Sequence, residues 1–290
     1  MTGIALIGHG YWGKILEKYI KADNNFYLKY VCDSKSNLNE VWNDKTVKAV
    51  VVAARNEQRY GLVEKALLSG KNVLTEKPLA MTSLEARQLA WIAIEKKLNL
   101  VVDYTFMVSK SILIARDLAL YKRRIGKIIG FDISVNHLAP FGGGSVYWIL
   151  GSHMLSVLDM FIPLEKLTFK RQDIFVYKDN IETGVISTDR GQIHLSLNYP
   201  AKTVEFVLYG TTGTIVYNPN KKESLIVENY DRPTWIRDVP KEEKIFEIDE
   251  SNNLKYVMGY FSNVIKGKAK SNVDTAIKIT KILEELHADS

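Results

Sequence analysis

A glycine-rich loop near the start of the sequence limits the fold more than any other feature. Gly8, Gly10 and Gly13 give the spacing G-x-G-x-x-G between the apolar run IALIG and the amphipathic stretch YWGKILEKYIKA. In this context the first glycine permits a tight turn, the second lets a pyrophosphate approach the backbone, and the third allows helix–strand contact. The free N–H groups of the helix then face the anion. The spacing predicts a strand–loop–helix unit that binds phosphate.

An acidic residue at the end of the second predicted strand extends this interpretation. Asp33 follows YLKYVC, 20 positions after Gly13, where an acid can bind the adenosine ribose hydroxyls of a dinucleotide. Asp33 favours NAD. Ser34 and Lys35 could instead hold a 2′-phosphate, which leaves NADP open. The alternative is a generic turn followed by an N-capping aspartate.

Strands and helices alternate along the first half of the chain. The runs VKAVVVAA, NVLTEKP and NLVVDYTF read as strands covered on both faces, because they carry few polar interruptions. Helical stretches separate them, one ending at Gly70 and one opening with the capping-box pair Thr82 and Glu85. This alternation predicts a doubly wound parallel α/β sheet with right-handed crossovers.

The segment NVLTEKPLA breaks its own strand pattern. Glu76, Lys77 and Pro78 follow Val73 and Leu74 directly, so an acid and a base stand together where a hydrophobic strand ends. Taken alone, these residues could be a solvated strand end.

The order of G-x-G-x-x-G, AVVVAA and SGKNVLTEKPLA resembles the Gfo/Idh/MocA family of NAD(P)-dependent oxidoreductases, and weaker landmarks extend the resemblance over most of the chain. The resemblance implies that the Glu-Lys-Pro segment borders the nicotinamide and that its lysine contacts both cofactor ribose and substrate. A lysine beside a reacting oxygen stabilises developing negative charge. The cofactor-binding residues expected on this basis are Gly8, His9, Gly10, Tyr11, Trp12, Gly13, Asp33, Ser34, Ala53, Arg55, Glu76, Lys77 and Pro78.

The first domain departs from the family at two places. Only 13 residues, Ser34 to Thr46, separate the second and third strands, so we expect a trimmed adenosine end with a short turn or helix around NLNEVW. The usual Thr-Pro after the third strand is Ala54-Arg55, and a frequent histidine is Arg59. Arg55 could meet a cofactor phosphate or an anionic substrate, or be an ordinary surface arginine.

The second half predicts a linker helix over VSKSILIARDLALYKRRIG and then several strands separated by turns. We expect a dinucleotide-binding Rossmann domain at 1–106 and an α+β substrate-binding and oligomerisation domain at 107–290, with one open, largely antiparallel sheet. The loop PFGGGSVYW could fold over a substrate or be a plain exposed loop. In the family a second subunit commonly covers such a sheet, and an extended apolar face on this one would require it, so a homodimer or homotetramer is expected.

By resemblance, His153 stands at the position of the catalytic histidine of the family, where an imidazole moves the hydroxyl proton. The sequence places it at the first turn of the helix GSHMLSVLDMFI. The acid that the family often carries four positions earlier is Ile149; Tyr147 or Asp103 could replace it. Lys77 and His153 are therefore the predicted catalytic residues. The predicted substrate-binding residues are Lys77, Tyr104, Tyr147 and His153.

The resemblance implies an enzyme that transfers hydride between NAD(P) and a CH–OH group of a sugar-like or cyclic polyol or keto substrate. YTFMVS, Tyr104 to Ser109, is similar to a segment of sugar ketoreductases, so a nucleotide-linked ketosugar fits. The alternative is a non-catalytic relative that acts as a cofactor-sensing regulator or binding subunit. Ile149, Arg59 and the trimmed adenosine end favour that alternative.

Composition also bears on the expected partners, on membrane spans, on the cellular compartment and on metal sites. The formal net charge of +6 comes from scattered lysines without a compact basic and aromatic block, so no nucleic-acid partner is expected. No apolar run approaches the ~20 residues of a membrane span. Cys32 is the only cysteine, which fits a reducing cytoplasm. No His/Cys/Asp cluster has metal-ligand spacing, so no metal is predicted.

Overall fold

A computed structural model describes residues 1–139, 144–230 and 242–288. The chain divides into two compact units. The first contains Met1–Thr105 and Asn253–Glu285, and the second contains Phe106–Asn252 and Leu286–Ser290. The first break lies next to the predicted boundary at residue 106. Residues 253–285, which the sequence assigned to the second domain, pack with the first unit.

The first unit is built on a five-stranded parallel sheet. Its strands follow the order β2-β1-β3-β4-β5. Val47–Val52 and its neighbour Ile4–Ile7 have nearly all their side chains buried, as expected for central strands with helices on both faces. The strands are β1 Thr2–Ile7, β2 Phe26–Cys32, β3 Val47–Val52, β4 Asn72–Glu76 and β5 Leu100–Asp103.

Local sequence signals explain where the helices of this unit begin and end. The Thr82 hydroxyl accepts a hydrogen bond from the Glu85 amide at 3.2 Å, which confirms the predicted cap. Gly70, with φ +75°, lies just after the end of the preceding helix. The helices are α1 Tyr11–Ala22, α2 Asn39–Asn43, α3 Asn56–Leu68, α4 Ser83–Glu95, α7 Asn253–Ile265 and α8 Val273–Ala288, and the last three residues of α8 belong to the second unit.

The connection between β2 and β3 is as short as the sequence predicted. It contains only the five-residue helix α2, whose Val41 and Trp42 are buried. The sheet therefore reverses its strand order between β1 and β3. Ligands of open α/β sheets bind beyond the carboxyl ends of the strands at such a reversal.

The second unit contains an eight-stranded sheet in the order β13-β12-β11-β10-β6-β9-β8-β7. All neighbouring pairs are antiparallel except β6 and β9, which confirms the predicted open, largely antiparallel sheet. The sequence missed β12 and β13. The strands are β6 Ile128–Leu138, β7 Phe169–Tyr177, β8 Asn180–Thr188, β9 Gly191–Ser196, β10 Asn198–Gly210, β11 Gly213–Tyr217, β12 Leu225–Asn229 and β13 Glu242–Phe246.

The helices of the second unit are short and continue into wider turns. The linker helix consists of α5, Lys110–Arg116, followed by a π-helical turn at Asp117–Tyr121. A π-helical turn at Tyr147–Gly151 leads without a break into α6, Ser152–Leu158, because Gly151 itself has helical dihedral angles. None of the described helices in either unit is long and apolar enough to cross a membrane.

The two faces of the second sheet differ in composition. One face carries buried residues such as Phe131, Ile133 and Val135. The opposite face is polar along β6 and β9, where Asp132 pairs with Gln192 and Ser134 with His194. A row of apolar residues crosses the other end of this face: Val207, Val216, Ile226 and Ile245. The expectation of an extended apolar face was therefore wrong for the centre of the sheet; the apolar row lies on β10–β13, and Phe175 on β7 is a further exposed apolar residue of this face.

Candidate active site

The turn between β1 and α1 leaves no space for side chains at two of its three glycines. Gly8 has φ +96°, and a Cβ there would lie 2.6 Å from the Ala53 carbonyl oxygen. A Cβ on Gly13 would overlap the Gly8 carbonyl oxygen. These close backbone approaches hold the first turn of α1 against the ends of β1 and β3, and any larger residue would push them apart.

Gly10 differs from the other two glycines. A Cβ at this position would meet nothing within 4 Å, so the protein itself does not require glycine here. Gly10 is the N-cap residue of α1, and that helix has neither a side-chain cap nor an acidic residue in its first turn. The N–H groups at this end are therefore available to an anion. This arrangement fits the pyrophosphate of a dinucleotide.

The side chains inside the glycine loop differ in whether they contact solvent or other protein groups. His9 Nε2 lies 2.7 Å from Glu17 Oε2, which ties the loop to α1. Tyr11 is exposed, while the Trp12 indole is hydrogen-bonded to the Glu76 carboxyl group. Trp12 thus links the glycine loop to the end of β4.

The remaining predicted cofactor residues of the first three strands lie at their carboxyl ends. Asp33 is exposed directly after β2, and its Oδ1 accepts hydrogen bonds from the Lys35 amide and the Ser36 hydroxyl at 2.9 and 3.0 Å. These bonds lower the pKa of Asp33. Ser34 is exposed beside it, Ala53 follows β3, and Arg55 is exposed at the start of α3.

The adjacent acid and base of the Glu-Lys-Pro segment are packed at the sheet edge. Glu76, the last residue of β4, is the register partner of Asp103, the last residue of β5. Asp103 is only 3% exposed, and its Oδ1 accepts a hydrogen bond from the Thr105 hydroxyl at 2.9 Å. Lys77 and Pro78 follow Glu76, and the peptide bond between them is cis. A simple solvated strand end would not place a second acid opposite the first.

Burial changes the protonation of these three groups. Desolvation and the nearby Asp103 raise the pKa of Glu76 to about 8. Desolvation raises the pKa of Asp103 to about 6, although Thr105 and Lys77 oppose the shift. Desolvation lowers the pKa of Lys77 to about 8, against the attraction of Glu76 and Asp103. Titratable groups with shifted pKa values gathered at one edge are typical of functional sites.

Arg59 holds this edge of the sheet together through hydrogen bonds, a role that the sequence analysis did not predict. Its guanidinium donates to the carbonyl oxygens of Pro78 at 2.8 Å and Ala54 at 2.9 Å, and to Asn56 Oδ1 at 2.8 Å. It is 5% exposed and joins the segments that follow β3 and β4. Its place on the buried stripe of α3, four residues before Val63, was the signal that could have revealed it.

Tyr104 follows Asp103 and is 1% exposed. Its hydroxyl has no hydrogen-bond partner among the residues that the structure describes. Burial raises the pKa of Tyr104, so it remains a neutral phenol. Tyr104 thus belongs with Glu76, Asp103 and Arg59 as a polar group beneath the surface of the first unit.

His153 lies in the second unit, on α6. Between Gly151 and Leu158 it is the one residue that is not fully buried, and its ring meets the edge of Phe106 at a centroid distance of 5.6 Å. His153 is the second residue of α6 and so lies in the first turn of that helix, as predicted, although a π-helical turn that begins at Tyr147 leads into it. Ile149 lies inside that π-helical turn.

Tyr147 occupies the core of the second unit. It has no exposed surface, and its hydroxyl donates to Gln172 O and Asp173 Oδ1, both at 2.9 Å. Its side chain fills the space beside Gly184, where a Cβ would overlap the hydroxyl. The structure thus gives Tyr147 a packing role and no surface through which to reach a substrate or His153.

The glycine-rich loop is described only from Gly144 onward, and its residues 140–143 lie outside the described part. No group of three or more potential metal-ligating side chains occurs within residues 1–139, 144–230 and 242–288.

The comparison with known families matches this geometry. The family model described as "Oxidoreductase family, NAD-binding Rossmann fold" matches residues 3–104, which include the glycine loop and the Glu-Lys-Pro segment. Residues 3–104 are therefore similar to the NAD-binding region of this oxidoreductase family. The matched region coincides with the first sheet and its carboxyl edge.

Two curated relatives extend the match beyond the first unit. The chain is 27% identical over 218 residues to the uncharacterized oxidoreductase YhhX of Escherichia coli, covering 67% of this chain and 60% of the relative. It is 27% identical over 203 residues to a 1,5-anhydro-D-fructose reductase of Ensifer adhaerens, covering 63% and 60%. The matches therefore span less than two thirds of either relative.

Solved structures show the same fold over nearly the whole of this chain. GenD2 from gentamicin A biosynthesis, solved with NAD, superposes with a TM-score of 0.81 at 21% identity, covering 99% of this chain and 94% of GenD2. KijD10, a 3-ketoreductase from Actinomadura kijaniata solved with NADP and TDP-benzene, gives 0.80 at 15% identity, covering 99% and 97%. At these identities the likeness concerns the fold.

Separate substitutions of Gly10 and Gly13 distinguish an effect on ligand binding from an effect on folding. Gly10→Ala is expected to fold with an unchanged melting temperature but to bind NAD(P)H at least about tenfold more weakly, because its Cβ occupies the space open to the pyrophosphate. Gly13→Ala is expected to lower the melting temperature, because its Cβ overlaps the Gly8 carbonyl oxygen. Nicotinamide fluorescence with NADH and NADPH, and thermal unfolding, measure both effects. Equal affinities of Gly10→Ala and wild type would contradict the assignment.

The raised pKa of Glu76 predicts a pH-dependent stability. Between about pH 4.5 and about pH 8 the unfolded chain releases the Glu76 proton while the folded chain retains it. The free energy of unfolding of the wild type should therefore fall with rising pH, relative to Glu76→Gln, by on the order of a few kcal/mol. Urea unfolding of both proteins across this range measures the difference. A constant difference would show that Glu76 is ionised throughout.

Proposed function

We propose that this protein transfers hydride between NAD(P) and a sugar-like substrate, with a ketosugar or cyclic polyol as the reacting class. The observation that carries the proposal is the position of Lys77. A partly buried lysine, flanked by Glu76 and Asp103, lies at the same sheet edge as an uncapped glycine loop that fits a pyrophosphate. A dinucleotide lying along this edge would have its reactive end near a group suited to proton chemistry.

The proposed cofactor contacts come from residues that follow β1 and β2. The α1 N-terminus with Gly10 would hold the pyrophosphate, and Asp33 would bind the adenosine ribose through the oxygen that its own turn leaves available. Asp33 favours NAD. Ser34 and Lys35 are the residues that would hold the extra phosphate of NADP. Once bound, the nicotinamide accepts or supplies the hydride.

Lys77 would act on the reacting oxygen of the substrate. During reduction of a carbonyl, negative charge develops on that oxygen, and an ammonium group beside it stabilises the charge. A lysine pKa lowered to about 8 allows the same group to donate or accept a proton near neutral pH. Arg59 keeps the segment carrying Lys77 in place through its bond to the Pro78 carbonyl oxygen.

His153 would supply the second proton-transfer group. It is the least buried residue of α6 between Gly151 and Leu158, and general acid–base catalysis by an imidazole contributes roughly 10²- to 10⁴-fold. Ile149 offers no carboxylate to orient the ring. A less firmly oriented histidine lowers the rate but leaves hydride transfer and proximity intact.

The substrate class draws on the named similarities. One relative is a reductase of 1,5-anhydro-D-fructose, and one structural neighbour is a 3-ketoreductase solved with a TDP ligand. Both names support a carbonyl on a sugar-like ring, and the second supports a nucleotide-linked ketosugar. Side chains of the second sheet would select among such substrates.

Two substitutions test the catalytic roles. Lys77→Ala and His153→Ala should each reduce kcat by about 10²-fold or more with a panel of ketosugars and NAD(P)H. His153→Ala should retain cofactor affinity, whereas Lys77→Ala should weaken it moderately. Lys65→Ala, an exposed lysine of α3, is the matched control and should match the wild type. If the wild type turns over nothing and neither change alters ligand binding, the chain is a cofactor-sensing regulator.

We also propose that two copies associate through the apolar end of the outer sheet face. Val207, Val216, Ile226 and Ile245 form a continuous row across four neighbouring strands on this face. Ile245 is 51% exposed. A contiguous row of apolar residues on an exposed sheet face is typical of a protein–protein interaction surface.

The assembly is tested by mass. Light scattering at micromolar concentration should give a multiple of the 33.0 kDa chain mass. Val216→Glu should shift the mass towards the monomer, because it places a charge in the middle of the row. Ile94→Glu, at an exposed apolar residue of α4 in the first unit, should leave the mass unchanged. A monomeric wild type would contradict the proposal.

A further inference from the structure

Two carboxyl groups face each other at the ends of neighbouring strands. Glu76 ends β4, Asp103 ends β5, and the two are register partners in a parallel pair. Register partners on adjacent strands lie on the same side of the sheet, at the strand spacing of about 4.8 Å. Their side chains therefore extend into one small space, and neither can turn to the opposite face without breaking the pattern of its strand.

Each carboxyl group uses one oxygen and leaves the other buried. Asp103 Oδ1 accepts from the Thr105 hydroxyl, and the Glu76 carboxyl is bonded to the Trp12 indole. Glu76 Oε1 and Asp103 Oδ2 are both inaccessible to solvent and have no hydrogen-bond partner within the described ranges. Like charges on neighbouring buried oxygens disfavour each other, so the two carboxyl groups are not expected to be ionised together.

The charged groups around the pair do not cancel the repulsion between the two ionised carboxyl groups. Arg59, from α3, directs its terminal nitrogens to Pro78 O, Ala54 O and Asn56 Oδ1. Glu57 acts on that guanidinium from the same helix, and the neutral Tyr104 phenol adds no charge. Lys77 is the remaining cation of the first unit that acts on both acids.

We propose that Glu76 and Asp103 share one proton, so that the pair carries a single negative charge beside Lys77. Asp103 is then a positioning residue: it determines how much negative charge the Lys77 ammonium faces, and thereby where that ammonium lies and the pH at which it loses its proton. The part concerning Lys77 rests on the proposed function. The sharing of a proton does not, because it concerns the ligand-free protein.

The first test observes the proton directly. In ligand-free protein with ¹³C-labelled aspartate and glutamate carboxyl groups, NMR near neutral pH should show one protonated carboxyl. In Asp103→Asn, which keeps the acceptor for Thr105, the remaining Glu76 signal should titrate at lower pH by about one unit or more, because the facing charge is gone. Glu76→Gln should move the Asp103 signal in the same direction.

Glu95→Gln, at an exposed carboxyl of α4, is the control and should leave the protonated signal unchanged. Thermal unfolding verifies that each variant is folded. If the wild type shows no protonated carboxyl, or if the Glu76 titration is unchanged in Asp103→Asn, the proposal is overturned; the second outcome would mean that burial alone retains the proton.

The second test concerns Lys77. In the wild type, loss of the shared proton gives the pair a second negative charge, whereas in Asp103→Asn only the one charge of Glu76 faces Lys77. The limb of the kcat–pH profile that depends on Lys77 should therefore move to lower pH in Asp103→Asn, because fewer neighbouring negative charges lower the pKa of an ammonium. Cofactor affinity should stay within about twofold of the wild type. An unmoved limb would overturn the positioning role. Absence of turnover in every protein, with the NMR result intact, would count against the proposed function and leave the shared proton standing.

Discussion

The parallel alignment of the first sheet is the constraint from which the candidate site follows. Because all five strands run the same way, their carboxyl ends lie along one edge, and each end contributes a functional candidate. Gly8 follows β1, Asp33 follows β2, Ala53 follows β3, Glu76 ends β4 and Asp103 ends β5. In the sequence these positions are up to 95 residues apart. The parallel topology brings them together along the carboxyl edge of the first sheet.

Holding such groups at a buried edge opposes folding, and the surrounding structure compensates. The pKa shifts of Glu76, Asp103 and Lys77 all have desolvation as their largest cause, so each charged form is less stable here than in water. The apolar strands behind them and the hydrogen bonds of Arg59 to backbone carbonyl groups hold the arrangement in place. Natural proteins commonly accept such local instability where chemistry requires it.

Local signals in the sequence were enough to predict the first sheet. Glycine spacing, continuous apolar runs and the Thr82 cap each depend on residues within a few positions of one another. The features that were missed depend on distant contacts. Arg59 binds a carbonyl 19 residues away, and the Tyr147 hydroxyl binds Asp173 across 26 residues. Neither partner can be read from periodicity, so the role of Arg59 was not predicted and a core tyrosine was interpreted as a substrate contact.

The family resemblance leads to a fold and a cofactor, while the chemistry depends on particular side chains. This chain has Ile149 where the family resemblance predicts a carboxylate that could orient His153 within the second unit. The structure rules out Tyr147 as a substitute, because its hydroxyl is already engaged in the core. Asp103 belongs to the first unit and lies beside Glu76 and Lys77. In the proposed mechanism the acid that tunes proton transfer therefore acts on the lysine, and the histidine works without a carboxylate at position 149.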